Sequence, residues 1–164
     1  MARRTRVPGP TTGRHRLPRN YCFACGPDNP DGMHLKFHYH ADDETFVCRF
    51  RLARKYTGPP GHCHGGVIAA ILDEAMGKVN KIRQVVALTK EIEIEYVRPV
   101  PLHQPLTVVS WEKRVSGRVH INMAEILNQK GDLLAQGRGT FIAIDPIKMF
   151  AKYMKAKRAA RSGR

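Results

Sequence analysis

Four residues have types and spacing that point to chemistry: His64, Gly65 and Gly66, with Asp73 eight positions after the first glycine. The two glycines open an apolar stretch that reads as a helix from about Gly65 to Lys81. A glycine-led helix start leaves backbone N–H groups uncovered, and the helix dipole favours negative charge there. Such a corner can hold a polarised carbonyl oxygen or an oxyanion. Asp73 supplies a carboxylate that can act as a base. A binding corner with a base nearby is equipment for acyl chemistry.

Helical spacing of 100° per residue divides this segment into two faces. Val67, Ile68, Ile71, Leu72, Ala75 and Met76 spread over a broad core side, while Gly66, Ala69, Ala70, Asp73 and Gly77 form a seam of small residues with the carboxylate at its centre. Small side chains let another backbone or a ligand come close. Glu74 and Lys78, four apart, are expected to form a solvated pair. His64 has two compatible roles, capping its own loop and shaping the oxyanion corner. Gly65 and Asp73 stand about 12 Å apart along the helix axis. Asp73 therefore cannot readily serve a carbonyl held at Gly65 of its own chain. Two antiparallel copies packed along their small seams would bring one chain's Asp73 to the other's glycines, so the spacing predicts a homodimer with shared sites.

The elements that must position these residues can be read outward from the helix. Before it, His34 to Tyr39 and Thr45 to Leu52 flank Ala41-Asp42-Asp43-Glu44 and read as a hairpin. A loop over residues 53–64 is broken by Gly58-Pro59-Pro60-Gly61. After the helix come four strand patterns, Val86 to Val97, Leu106 to Val115, Arg118 to Asn128 and Leu133 to Ile144, with turns at Gly117 and at Lys130-Gly131-Asp132. A helix this apolar cannot lie on a wet surface, so the sheet should wrap around it. The expected fold is α+β: an antiparallel sheet of about six strands around one long central helix. Met76, Trp111 and Phe141 read as core in preference to ligand pocket.

The formal charge of +14 lies almost entirely at the ends. Residues 1–20 and 146–164 carry thirteen of the twenty-eight basic residues and no acid, whereas 21–145 holds fifteen basic against fourteen acidic residues. The reading is a basic flexible tail over 1–20, a nearly neutral domain over 21–145 and a basic C-terminal helix or tail over 146–164. Such tails permit a weak polyanion contact, but no base-reading element accompanies them. No run of about 18 apolar residues is present, which argues against a membrane-spanning helix. The first residues are Arg-rich with no apolar stretch behind them, so a cytoplasmic location is expected over a secretory one. Cys22-Phe23-Ala24-Cys25 has the spacing of half a zinc site, which Cys48 and Cys63 would have to complete. Cys48 falls in a strand pattern, so reduced thiols and no metal are the expectation.

The chain resembles the hotdog-fold acyl-CoA thioesterases, specifically the phenylacetate-pathway group and its relatives. The resemblance rests on Cys22-Phe23-Ala24-Cys25-Gly26 with Asn29-Pro30-Asp31-Gly32, and on Gly58-Pro59-Pro60-Gly61 followed by His64-Gly65-Gly66. It continues through Asp73-Glu74-Ala75-Met76-Gly77, Glu95-Tyr96-Val97-Arg98-Pro99 and Ala135-Gln136-Gly137-Arg138. It implies a dimer with composite sites, often assembled into tetramers, and no cofactor, because CoA belongs to the substrate. It implies that the Gly65 N–H binds the thioester oxygen, that Asp73 is the family carboxylate, and that His64 is the motif histidine. Thr89 matches a hydroxyl residue that positions water in several members. Some members carry Asn six residues before the histidine; here that position is Gly58, which leaves the second polarising group open. Strict strand alternation puts Thr89 on the face of Glu91, Glu93 and Glu95, away from Ile92, Ile94 and Tyr96, unless a bulge intervenes.

The expected reaction is hydrolysis of acyl-CoA to a carboxylic acid and CoA, with Gly65 polarising the thioester and Asp73 as general base. Gly66 would help line the substrate site. Arg98, Arg118 and Arg138 are candidates for the CoA phosphates, each against the alternative of an ordinary surface arginine. Two other readings keep the fold: a hydratase or dehydratase, and a non-catalytic acyl-CoA sensor.

Overall fold

The computed structural model describes residues 19–151. Its six strands form one antiparallel sheet: β1 (His38–His40), β2 (Thr45–Phe50), β3 (Val86–Tyr96), β4 (Leu106–Ser116), β5 (Val119–Asn128) and β6 (Leu133–Ile144). The spatial order is β1-β2-β4-β5-β6-β3, and among the described residues the one long helix, α1 (Gly65–Val79), packs against the sheet. The expected six strands around one central helix are all there.

Alternation explains the sheet. Leu106, Val108 and Ser110 of β4 are buried, as are His120, Asn122, Ala124 and Ile126 of β5, while their neighbours along each strand are less so. Ile71, Leu72, Ala75 and Met76 of α1 are fully buried between these faces. Each large one contributes about 1.5–3 kcal/mol by leaving water. Met76 can come so close because β6 is bare beneath it: a Cβ on Gly139 would sit 3.1 Å from Met76 Sδ and 2.5 Å from the Phe141 ring. The expectation of core for Met76 and Phe141 holds, while Trp111 is only half-buried.

Sheet side chains also terminate the helix. From Met76 onward its carbonyls have no partner within the helix, and Ala75 O just before them takes a second donor. Ser110 Oγ donates to Ala75 O at 2.8 Å, and Asn122 Nδ2 donates to Met76 O at 2.8 Å and to Asn80 Oδ1 at 3.1 Å. Beyond Val79 the chain tightens into a 3-10 turn over Asn80–Arg83 that ends on left-handed Gln84, so α1 stops slightly short of the predicted Lys81.

Two expectations need correction. The first strand covers only His38–His40, because residues 33–35 direct their backbone elsewhere: Met33 N–H donates to Phe23 O and Leu35 N–H to Ala24 O, and His34 has φ 54°. The segment from Asn20 to Phe37 thus packs along α1. For the same reason Glu74 and Lys78 are not a solvated pair. They meet at 2.6 Å with side chains only 18% and 16% exposed.

The tail over 1–20 lies outside the described residues apart from its last two. Of the C-terminal segment, residues 146–151 are described and are helical, with Asp145 Oδ1 accepting from the N–H groups of Ile147 and Lys148. Among the described residues no helix is long and apolar enough to cross a membrane.

Candidate active site

The loop before α1 aims its N-terminus. Gly58 N–H donates to His62 O, His62 N–H to Pro59 O, and Gly61 takes φ 76°, which closes the Gly-Pro-Pro-Gly turn. Cys63 N–H then bonds Val100 O at 2.8 Å and His64 N–H bonds Tyr56 O at 2.9 Å. Gly58 lies against the histidine: a Cβ there would stand 2.7 Å from His64 Cα. This packing explains why the position holds no asparagine in this chain.

His64 is the N-cap, with extended φ −66° and ψ 136°. Its Nδ1 accepts from Gly66 N–H at 2.9 Å. Because Nδ1 accepts, the neutral ring carries its proton on Nε2. Val67 and Ile68 N–H both donate to His64 O. The Gly65 N–H is left with no hydrogen-bond partner among the described residues. Of the two candidate glycines, then, Gly65 offers a free donor and Gly66 does not. Tyr96 closes over this point, donating its hydroxyl to Gly65 O at 3.1 Å, with its ring 3.6 Å from where a Gly65 Cβ would be. Sequence reasoning quoted Tyr96 only as part of a motif. Its place on the same inward face as Ile92 and Ile94 was the available signal.

Asp73 is half-buried on the small-residue seam. Thr89 Oγ1 donates to Asp73 Oδ1 at 2.7 Å. Strict alternation would forbid this contact. The register of β3 against β6 slips between Thr89 and Glu91, a bulge that turns Thr89 toward the helix while Ile92 and Ile94 still face the core. Asp73 Oδ2 has no hydrogen-bond partner among the described residues, and Asp73 borders a recess of about 240 Å³. Ala87, Thr89, Gly77 and Phe141 line that recess too.

The three arginines are not gathered at Asp73 within one chain. Arg98 follows β3 and donates to Leu133 O at 3.0 Å; Arg118, in the β4–β5 turn, donates to Ala143 O at 2.9 Å. Arg138 alternates with the buried Gly137 and Gly139 of β6 and so lies on the face away from α1, between Glu93 of β3 and Met123 of β5.

The four cysteines are reduced. Cys48 and Cys63 belong to the buried core, and burial pushes the Cys63 thiol up to about 11. Cys25 is also pushed up to about 11, by burial and by Glu74 beside it. Burial works against Glu74 as an anion, but hydrogen bonds from Cys25 and Lys78 prevail and hold it below its ordinary value. Burial thus favours the protonated thiol at both Cys25 and Cys63.

Residues 60–135 match the family model described as Thioesterase superfamily, a span that includes α1 and reaches into β6. Over just under half of its length, this chain is thus similar to the thioesterase superfamily. It is 28% identical over 118 residues to the acyl-coenzyme A thioesterase THEM4 of Rattus norvegicus, covering 71% of this chain and 51% of that one. The chain spans about half the length of the curated relatives it matches. Among solved structures it is similar to protein RHA08564, a thioesterase superfamily protein, at TM-score 0.71 and 29% identity over 75% of this chain and 60% of that one. It is also similar to the E. coli PaaI protein of the phenylacetic acid degradation operon, at TM-score 0.63 and 19% identity over 69% of this chain and 81% of PaaI. The chain shares the hotdog fold of these structures.

Proposed function

We propose that the protein hydrolyses acyl-CoA to a carboxylic acid and CoA, in sites shared between two copies of the chain. The observation that carries the reading is the hydroxyl-anchored carboxylate: Thr89 holds one oxygen of Asp73 at 2.7 Å, the other has no partner among the described residues, and the residue borders a recess. A water bound by Oδ2 is deprotonated as it adds to the thioester carbon. The Gly65 N–H, with the helix dipole behind it, stabilises the oxyanion. His64 Nε2–H is suited to be the second donor, which would fill the role left open at Gly58. Collapse of the tetrahedral intermediate restores the carbonyl and expels the CoA thiolate, which takes up the proton. The name of the rat relative supports acyl-CoA as the substrate class. No cofactor enters, since CoA arrives as part of the substrate.

The shared site follows from distance and from an unpaired edge. Gly65 and Asp73 are separated by about 12 Å of helix. Beside them, β3 is the eleven-residue outer strand of the sheet, with Val86, Leu88 and Tyr96 between 44% and 53% exposed. A long unpaired edge of this kind is a template for pairing with another strand. An antiparallel copy across β3 would bring the partner's small-residue seam alongside and one chain's carboxylate toward the other's glycine.

The test is Asp73→Asn, assayed by thiol release from short, medium, long-chain and aryl acyl-CoAs. Turnover should fall at least about 100-fold with the circular dichroism spectrum unchanged. Near-normal turnover in the folded variant removes the mechanism.

A further inference from the structure

We propose that Cys22, Cys25 and Glu74 form a zinc site that clips the N-terminal loop to α1, with Lys78 as its outer hydrogen-bond donor. The proposal does not depend on the thioesterase reading. The Cys22–Cys25 turn is held by Gly26, whose N–H donates to Cys22 O at 2.9 Å. A Cβ at Gly26 would stand 2.4 Å from Cys22 N and 2.6 Å from Asn20 O, so only glycine fits without a shift of backbone. The turn directs both sulfurs at one residue of the helix. Cys22 Sγ, Cys25 Sγ and a Glu74 carboxylate oxygen all lie within 4.8 Å of one another.

The spacing suits zinc. Zn–S bonds of about 2.3 Å and a Zn–O bond of about 2.1 Å at tetrahedral angles give a sulfur-to-oxygen edge of about 3.6 Å. Cys22 Sγ and Glu74 Oε2 are 3.7 Å apart. The other carboxylate oxygen, Oε1, is held by Lys78 at 2.6 Å, which turns Oε2 toward Cys22 as a single-oxygen ligand. Lys78 Nζ also lies 3.0 Å from Cys25 Sγ, as a donor to a ligating sulfur would.

Charge closes as well. Two thiolates and one carboxylate carry three negative charges; a divalent ion and the lysine carry three positive ones. A half-buried site of zero net charge avoids the cost of an unpaired buried ion. Two thiolates select zinc over magnesium or calcium, and two cysteines are too few for an iron–sulfur cluster held in one chain. Binding displaces both thiol protons, and a water completes the tetrahedron. Cys48 and Cys63, the ligands the sequence spacing suggested, lie in the apolar core and are not part of this group.

The experiment uses the whole chain, reduced and stripped with a chelator, and titrates it with cobalt(II) followed by zinc(II). The expected result is one cobalt per chain with a sulfur-to-cobalt charge-transfer band and the visible bands of a tetrahedral site, bleached by one equivalent of zinc. The Cys22→Ser, Cys25→Ser double variant should lose the bands, and Lys78→Met should weaken binding by about 10–100-fold. The wild-type titration does not depend on any variant folding. Folded, reduced wild-type protein without a charge-transfer band overturns the proposal, as does full binding by the double variant.

Discussion

Replacing Gly65 by proline deletes one hydrogen-bond donor and little else. Gly65 is the first residue of α1, where an N–H has no partner inside the helix and where proline is well tolerated. The residue ahead of a proline must be extended, and His64 already is, at φ −66° and ψ 136°. The first turn keeps its own bonds, from Val67 and Ile68 N–H to His64 O and from Gly66 N–H to His64 Nδ1. The new side chain meets the Tyr96 ring at about ordinary contact distance, 3.6 Å from the Cβ. Thermal stability should therefore be unchanged or slightly raised. If the Gly65 N–H holds the oxyanion, kcat should fall by about 100- to 1,000-fold, the cost of removing one such donor. Mixing then separates a shared site from a local one. With the site shared, a heterodimer of Gly65→Pro and Asp73→Asn chains has one site with both defects and one intact. Random reassortment makes half the dimers mixed, so unfolding and refolding the two together should recover about one quarter of wild-type activity. A site within one chain would recover none. A folded Gly65→Pro protein with near-normal kcat refutes the oxyanion assignment, and a mixture no more active than its parents refutes the shared site.

The other predictions concern the supports of this site. Thr89→Val keeps the shape of the side chain and removes the bond to Asp73, which as a hydrogen bond to a charged group is worth about 1.5–3 kcal/mol. Thr89 is exposed, so kcat should fall by about tenfold, toward the lower end of that range, and Thr89→Ser should restore it. Equal kcat in all three proteins removes Thr89 from the mechanism. Gly139→Ala forces a methyl to 2.5 Å from the buried Phe141 ring and should cost about 1–3 kcal/mol in urea unfolding; an unchanged midpoint would show that the ring moves aside freely. Arg83 hydrogen-bonds Glu112 in two places and holds its carboxylate below the ordinary 4.5. A depressed folded value stabilises above the unfolded one and is lost as pH falls through the folded one. Glu112→Gln should accordingly flatten the acid limb of the stability profile below about pH 4.5, and an unaltered limb would refute that role.

The parts of this molecule legible in the sequence are those governed by periodicity and short-range chemistry. The apolar spacing of α1, the glycines at its start and the turns at Gly117 and Gly131 each declare themselves within a few residues. The parts that were not legible depend on contacts between distant segments. Nothing local marks the bulge after Thr89, because it appears only in the register of β3 on β6. Nor does the helix alone show that Glu74 and Lys78 are covered, since the cover is a loop fifty residues away. Residues 34–37 have the alternation of a strand, yet the Phe23 and Ala24 carbonyls draw residues 33 and 35 away from the sheet.

The first two of these three failures share a cause that bears on how the site is built. Asp73 and Glu74 are adjacent on α1 but face opposite structural problems. Asp73 looks along the seam toward the bulged edge strand, with one oxygen held by Thr89 and one without a partner among the described residues. Glu74 looks toward the Asn20–Phe37 loop, both oxygens engaged by Cys22 and Lys78. One carboxylate is built into a fixed cluster and its neighbour is left half-open. The cluster on one side and the bulge on the other fix the helical turn that carries both. A strand without the bulge would aim Thr89 outward, and a helix without the loop would leave that turn uncovered on one flank. The placement of Asp73 is thus a property of three segments meeting at one turn, which is why a motif of a few residues can name the carboxylate but cannot by itself orient it.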